Sequence, residues 1–152
     1  HPDDVENLRL LKEKSSIPIA AGEAYSGKFE YNNLIENKSL DILQFDCTHS
    51  GGIEFCQHLS KKCFDKNIEN AVHIWGSAVA VSANINLSLS LENISFVEIP
   101  IIKLDISEHM WVEKPKISNG FVELSDAPGL GISISDNIKN KFKAVKNTAF
   151  HI

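Results

Sequence analysis

Asn70-Ala-Val-His-Ile-Trp-Gly-Ser77 is a short apolar run that delivers one histidine, His73, to what reads as the exit of a strand. Two runs upstream share the pattern. Ile17-Pro-Ile-Ala-Ala21 ends in Gly22-Glu23, and Asp41-Ile-Leu-Gln-Phe45 ends in Asp46. Downstream, Phe96-Val97 leads into Glu98. Four strand-like runs thus each finish in or beside a titratable group.

Helical segments separate them. Val5, Leu8 and Leu11 form an apolar stripe that Asp3 or Asp4 can cap and residues 12–16 close. Residues 28–38 read as a second helix with Phe29, Leu34 and Ile35 facing inward. After a turn over Cys47–Ser50, Gly51-Gly52 opens a third helix to Lys66, with Ile53, Cys56, Leu59 and Cys63 on its inner face. Residues 67–70 read as a loop and Ala71–Trp75 as the third strand. Ser77 caps a fourth helix reaching Leu91, with Ala78, Val81, Ile85 and Leu89 spaced for burial, and Phe96–Ile102 is the fourth strand.

Short apolar runs alternating with helices are the pattern of βαβ units and a parallel sheet. Such a sheet is either open and doubly wound or part of a (β/α) barrel. A doubly wound sheet concentrates its signal in one glycine-rich first turn, and neither GxGxxG nor GxxxxGK[ST] occurs here. A barrel gathers its site from the C-terminal ends of successive strands, where Glu23, Asp46, His73 and Glu98 fall. A complete barrel takes eight strands and about 250 residues. This 152-residue chain offers four strands and opens inside a strand-to-helix loop. The expectation is therefore an α/β fold, the C-terminal half of a barrel over residues 1–102, with 103–152 as a separate segment. That segment holds a hairpin at 117–124 around Asn119-Gly120, a turn-rich crossing at 126–131, and a terminal helix or frayed tail at 136–148.

Composition narrows the function. With 43% apolar residues the chain can bury one sizeable core. A net charge of -5 and a single arginine, Arg9, argue against a nucleic-acid partner, which would want clustered basic residues. No apolar run approaches the roughly 20 residues of a membrane span, and the polar opening His1-Pro-Asp-Asp4 does not read as a signal peptide. Three cysteines, an odd number, suggest a reducing, cytoplasmic setting rather than a disulfide framework. Other constellations fall short. Ser50-Gly51-Gly52 lacks the flanking residues of a serine-protease nucleophile loop, Glu54 and His58 do not make HExxH, and no CxxC pair supports zinc.

Taken together, Ile-Pro-Ile-Ala-Ala-Gly-Glu23, Leu-Gln-Phe-Asp46 followed by Ser-Gly-Gly-Ile53, Val-His73-Ile-Trp-Gly-Ser and Val-Glu98 resemble the enolase superfamily. The chain resembles its mandelate racemase/muconate lactonizing enzyme-like members, and among them the acid-sugar dehydratase branch. Intervals of 23 residues from Glu23 to Asp46 and 27 from Asp46 to His73 suit that branch, and the resemblance runs to Gly131. It implies a Mg²⁺-dependent removal of the proton next to a carboxylate, acting on a small-molecule hydroxy or sugar acid. Glu23 would be one of three metal-binding carboxylates, the other two lying on strands outside this chain. His73 would be the base or acid, Asp46 would orient it, and a protonated Glu98 would sit by the substrate carboxylate. His49 and Trp75 are candidate substrate contacts, although Trp75 also fits simple packing at the rim. Residues 103–152 would return to a capping domain not contained here, and proteins of this kind commonly self-associate as homo-oligomers. The readings left open are a dehydratase, a racemase or epimerase, and an inactive half-barrel that self-associates through its open strand edges.

Overall fold

The computed structural model describes His1 and residues 4–143. Helix α1 (Val5–Lys14) begins where the Asp4 carboxylate accepts the Asn7 N–H, a regular N-cap. Asp3, the alternative cap, lies outside the described residues. Strands β1 (Ala20–Ala21), β2 (Ile42–Leu43), β3 (Glu69–Val72) and β4 (Ile94–Val97) are parallel and lie in the order β1-β2-β3-β4. Helices α2 (Lys28–Glu36), α4 (Ile53–Asp65) and α5 (Ala78–Leu89) carry the chain from each strand to the next. Every strand sits beside its sequence neighbour and the order never reverses. That is the arrangement of a barrel segment, since a doubly wound sheet switches direction.

The core lies between this sheet and its helices. Leu43, Phe45, Val72 and Ile74 bury one side of the strands against Leu34, Ile35, Cys56, Leu59 and Ile85. Gln44 and His73 alternate with them and so point away from the helices, which is the period of two at work.

Several boundaries differ from expectation. Only Ala20 and Ala21 of the first run join the regular ladder: Pro18 has no N–H, Ile17 is exposed, and the Ile19 N–H goes to the Asp41 side chain at 2.8 Å. The third strand starts earlier, at Glu69, because Glu69 N–H bonds the Asp41 carbonyl and Asn70 N–H the Asn93 carbonyl, each at 2.9 Å. The fourth spans Ile94–Val97 instead of 96–102, and Pro100, which lacks a donor, sits beyond its end. Residues 47–50, expected as a turn, form a short helix, α3 (Cys47–Ser50). Phe29 is 88% exposed, because α2 buries Tyr31, Leu34 and Ile35 at the three-four spacing and Phe29 falls on its other face. Leu11, Ile53 and Leu89, at or near helix ends, are exposed as well.

Beyond the sheet come α6 (Asp105–Glu108), a hairpin of β5 (Lys116–Ser118) and β6 (Phe121–Glu123), and α7 (Asp136–Lys141). The hairpin turns through Asn119 and Gly120 at φ 51° and 79°, the backbone a two-residue turn requires. This segment folds back on α5. Ser82 Oγ donates to the Leu130 carbonyl at 2.5 Å, and Ala78, Met110 and Ile138 make a second small core. The tail expected to 148 is helical only to Lys141, and residues 144–148 lie outside the described residues. No helix among the described residues is long and apolar enough to cross a membrane.

Candidate active site

The site grows from how the strands end. At β1 the chain must pass close to β2. Gly22 adopts φ +139°, and a Cβ placed there would sit 2.9 Å from the backbone nitrogen of Gln44. Only glycine fits that approach, and it seats Glu23 beside the next strand end. In the middle, Val72 pairs with Val97, so one residue further His73 stands level with Glu98. Likewise His73 N–H bonds the Phe45 carbonyl at 3.1 Å, which brings His73 alongside Asp46.

The level of Glu98 depends on an irregularity. Asn70 pairs with Ile94 and Ala71 with Phe96, so β4 carries one extra residue, Ser95, opposite that step. Side chains alternate faces along a strand, so an unbulged ladder would set His73 beside Val97 and aim Glu98 elsewhere.

The side chains meet accordingly. His73, about three-quarters buried, lies with Nδ1 3.3 Å from Asp46 Oδ2 and Nε2 3.5 Å from Glu23 Oε2. Asp46 is buried, and its Oδ1 accepts the Thr48 N–H at 2.8 Å, the Thr48 hydroxyl at 2.7 Å and the Asn84 amide at 2.6 Å. With Oδ1 taken, Oδ2 is the oxygen left to His73 Nδ1. A proton held on Nδ1 by that bond would leave the lone pair of a neutral imidazole on Nε2, the nitrogen toward Glu23. Glu98 accepts the Gln44 side-chain N–H at 2.8 Å and the Ile74 backbone N–H at 3.2 Å, one on each oxygen.

Beneath these groups lies a hydroxyl network. Tyr31 is fully buried, with its hydroxyl 2.8 Å from the Tyr25 carbonyl, 3.1 Å from the Gly22 carbonyl and 2.5 Å from Ser50 Oγ. Ser50 Oγ in turn accepts the Asp46 N–H at 3.2 Å. Burial pushes the Tyr31 phenol up to about 12, so it remains a neutral donor. The network ties the backbone before Glu23 to the backbone of Asp46.

Of the residues singled out from sequence, Glu23, Asp46 and His73 therefore touch, and Glu98 is joined to them through Gln44 and Ile74. His49 lies exposed on α3, and Trp75 is half-exposed just past His73. Four residues that the sequence reading passed over hold the site: Gln44, Thr48, Asn84 and Tyr31. Gln44 stands two residues before Asp46 in a strand and so shares its face, a signal that was legible. Asn84 carried none, because it sits in an apolar helix far from the strand ends. Glu23 offers hard carboxylate oxygens, the type that Mg²⁺ takes, and fits as a single ligand. Among the described residues no group of three or more His, Cys, Asp or Glu could hold a metal ion.

Comparison with known proteins gives this geometry a setting. The family described as enolase C-terminal domain-like matches residues 1–138. A D-galactonate dehydratase family member of Musicola paradisiaca is 31% identical over 143 residues, covering 93% of this chain and 34% of its own length. The crystal structure of a mandelate racemase/muconate lactonizing enzyme from Jannaschia sp. superposes with a TM-score of 0.83 at 31% identity, over 97% of this chain and 37% of that one. An enolase from Pantoea ananatis, solved with bound D-gluconate and Mg, superposes with a TM-score of 0.82 at 30% identity, over 93% of this chain and 34% of that one. The chain spans about a third of the length of the relatives it matches. It belongs to the enolase C-terminal domain-like family, in the company of mandelate racemase/muconate lactonizing enzymes and acid-sugar dehydratases.

Proposed function

We propose that this chain is the C-terminal barrel portion of a Mg²⁺-dependent dehydratase acting on a sugar acid, with residues 1–102 in the barrel and 103–152 returning to a capping domain. The observation that carries the reading is His73, held by Asp46 on one nitrogen and facing Glu23 with the other.

His73 Nε2 is the group that takes or returns the proton at the carbon next to the substrate carboxylate. Asp46 fixes the ring and stabilises it when it becomes an imidazolium, as the aspartate does in a Ser-His-Asp triad. In a dehydration the Cα–H bond breaks, the β-hydroxyl leaves with a proton as water, and the enol product becomes a 2-oxo acid. Glu98, oriented by Gln44 and Ile74 N–H, lies at the height of His73, where it meets the carboxylate end of the substrate. A proton on its free lone pair makes it a donor as negative charge develops there. Glu23 would hold Mg²⁺ with two carboxylates from outside this chain, and the ion supplies positive charge toward the substrate carboxylate. Dehydration is preferred to racemisation because a single histidine stands at the site among the described residues.

The test is turnover of D-gluconate and D-galactonate by the intact protein that carries this chain, with Mg²⁺ present. His73→Asn should lower kcat by about 10²–10⁴-fold with the fold intact. Unchanged kcat in a substrate-competent protein overturns the assignment of His73.

A further inference from the structure

Asn84 lies in the middle of α5 and is fully buried, on a helix whose neighbours Ile85 and Leu87 enter the apolar core. Burying an amide costs free energy unless both ends are paired. Both are. Its Oδ1 accepts the Cys47 N–H at 2.9 Å, and its Nδ2 donates to Asp46 Oδ1 at 2.6 Å. The first bond satisfies one of the orphan N–H groups at the start of α3, which explains an acceptor at this position. It does not explain the donor. Asp46 Oδ1 already receives both the N–H and the hydroxyl of Thr48.

The third donor changes the carboxylate's orientation rather than its solvation. Thr48 follows Asp46 by two residues and moves with it, so its two bonds form a local turn. Asn84 arrives from a separate element and anchors Oδ1 to the helix layer. With Oδ1 held from two sides, Oδ2 is turned toward His73 Nδ1. We propose that Asn84 is a positioning residue: it sets the Asp46 carboxylate so that Oδ2 accepts from His73 Nδ1–H, and thereby holds the ring with its lone pair on Nε2. Groups that orient a catalytic or metal-bound histidine act in this way at one remove, and losing them costs about 10–100-fold in activity. The effect on turnover rests on the reading of His73 as the proton-transfer group. The effect on the tautomer does not.

The experiment uses the intact protein carrying this chain, unsubstituted and as Asn84→Leu and Asn84→Ala. Leucine keeps the branched outline of asparagine without a polar atom, and alanine removes the amide without adding bulk. Both delete the donor toward Asp46. Imidazole ¹⁵N shifts, recorded where the ring is neutral, report which nitrogen of His73 carries the proton. They should show one Nδ1–H tautomer in the unsubstituted protein and a mixture in both variants. With D-gluconate and Mg²⁺, kcat should fall about 10–100-fold while KM stays within about threefold. Should both variants fail to fold, through-hydrogen-bond coupling between Asn84 Nδ2 and Asp46 Cγ in the unsubstituted protein decides the matter. Its presence supports the proposal and its absence overturns it. Unchanged His73 ¹⁵N shifts in a folded variant also overturn it, whatever happens to stability. If the unsubstituted protein turns over no aldonate, the dehydratase reading fails while the tautomer result still stands.

Discussion

Replacing Gly22 by alanine tests how the first strand end is seated. Two penalties add at this position. The residue holds φ +139°, a region that L side chains rarely adopt, which costs roughly 1–3 kcal/mol. The new Cβ would also lie 2.9, 3.0 and 3.1 Å from the nitrogen, oxygen and carbonyl carbon of Gln44. Those are backbone atoms of the adjoining strand, and Gln44 N–H already donates to the Ala21 carbonyl at 2.9 Å. Nothing there swings aside, so strand separation must give, at roughly 1–3 kcal/mol for an overpacked contact. The expected loss is about 2–6 kcal/mol, a large share of the roughly 5–15 kcal/mol that holds a domain together. Gly27→Ala supplies the comparison. Gly27 also has a positive φ, +102°, but a Cβ there meets nothing within 4 Å. It should show the backbone penalty alone. Urea unfolding followed by tryptophan fluorescence measures both variants against the unsubstituted protein. Equal losses at the two glycines, or a loss below about 0.5 kcal/mol at Gly22, would refute the close-approach argument.

Three further outcomes follow from the same contacts. Tyr31→Phe deletes the hydroxyl shared by the Gly22 and Tyr25 carbonyls and Ser50, and should cost about 1–3 kcal/mol in urea unfolding; a neutral effect would show that water replaces the hydroxyl. Burial pushes the Cys47 and Cys63 thiols up to about 11 and Cys56 up to about 12, from an ordinary 9.0. The unfolded chain therefore loses these protons first: their stabilisation is complete below pH 9 and is lost as pH rises through about 11. A urea midpoint that stays flat between pH 8.5 and about 10.5 would contradict that burial. Finally, calorimetric titration of this chain by itself with Mg²⁺ should give no micromolar site, because one carboxylate does not make an octahedral cage. Micromolar binding would mean that the remaining ligands lie within this chain.

The parallel order of the sheet was legible because the apolar runs are short and the helices between them are periodic. Boundaries were not. Ile17-Pro-Ile reads as strand on apolar content, yet strand membership is decided by backbone bonds, and there a proline and the Asp41 side chain take them away. Residues 69 and 70 read as loop on polarity, yet Glu69 and Asn70 donate into the ladder because their neighbours leave acceptors open. Phe29 shows the same limit in a helix: its hydrophobicity is plain, but three other residues on α2 fit one face better. The odd cysteine count pointed to unpaired thiols, and Cys47, Cys56 and Cys63 are all free and buried.

At the site, the charged candidates for chemistry announced themselves, and of the residues that orient them only Gln44 carried a signal. Charged groups at strand exits are conspicuous in a line of sequence, since they interrupt apolar runs. Aim comes from elsewhere. His73 and Glu98 share a level because Ser95 is an extra residue in β4, and nothing in Ile94-Ser-Phe-Val97 marks a bulge. Asp46 faces His73 because an amide on α5, 38 residues away in sequence, holds its other oxygen. Both are consequences of how elements dock, and the same two motifs on a differently registered sheet would leave Glu98 pointing away from the histidine. A catalytic list read from strand ends is therefore a list of candidates for one face. Whether they converge is decided by the register of β4 against β3 and by the seat of α5 on α3.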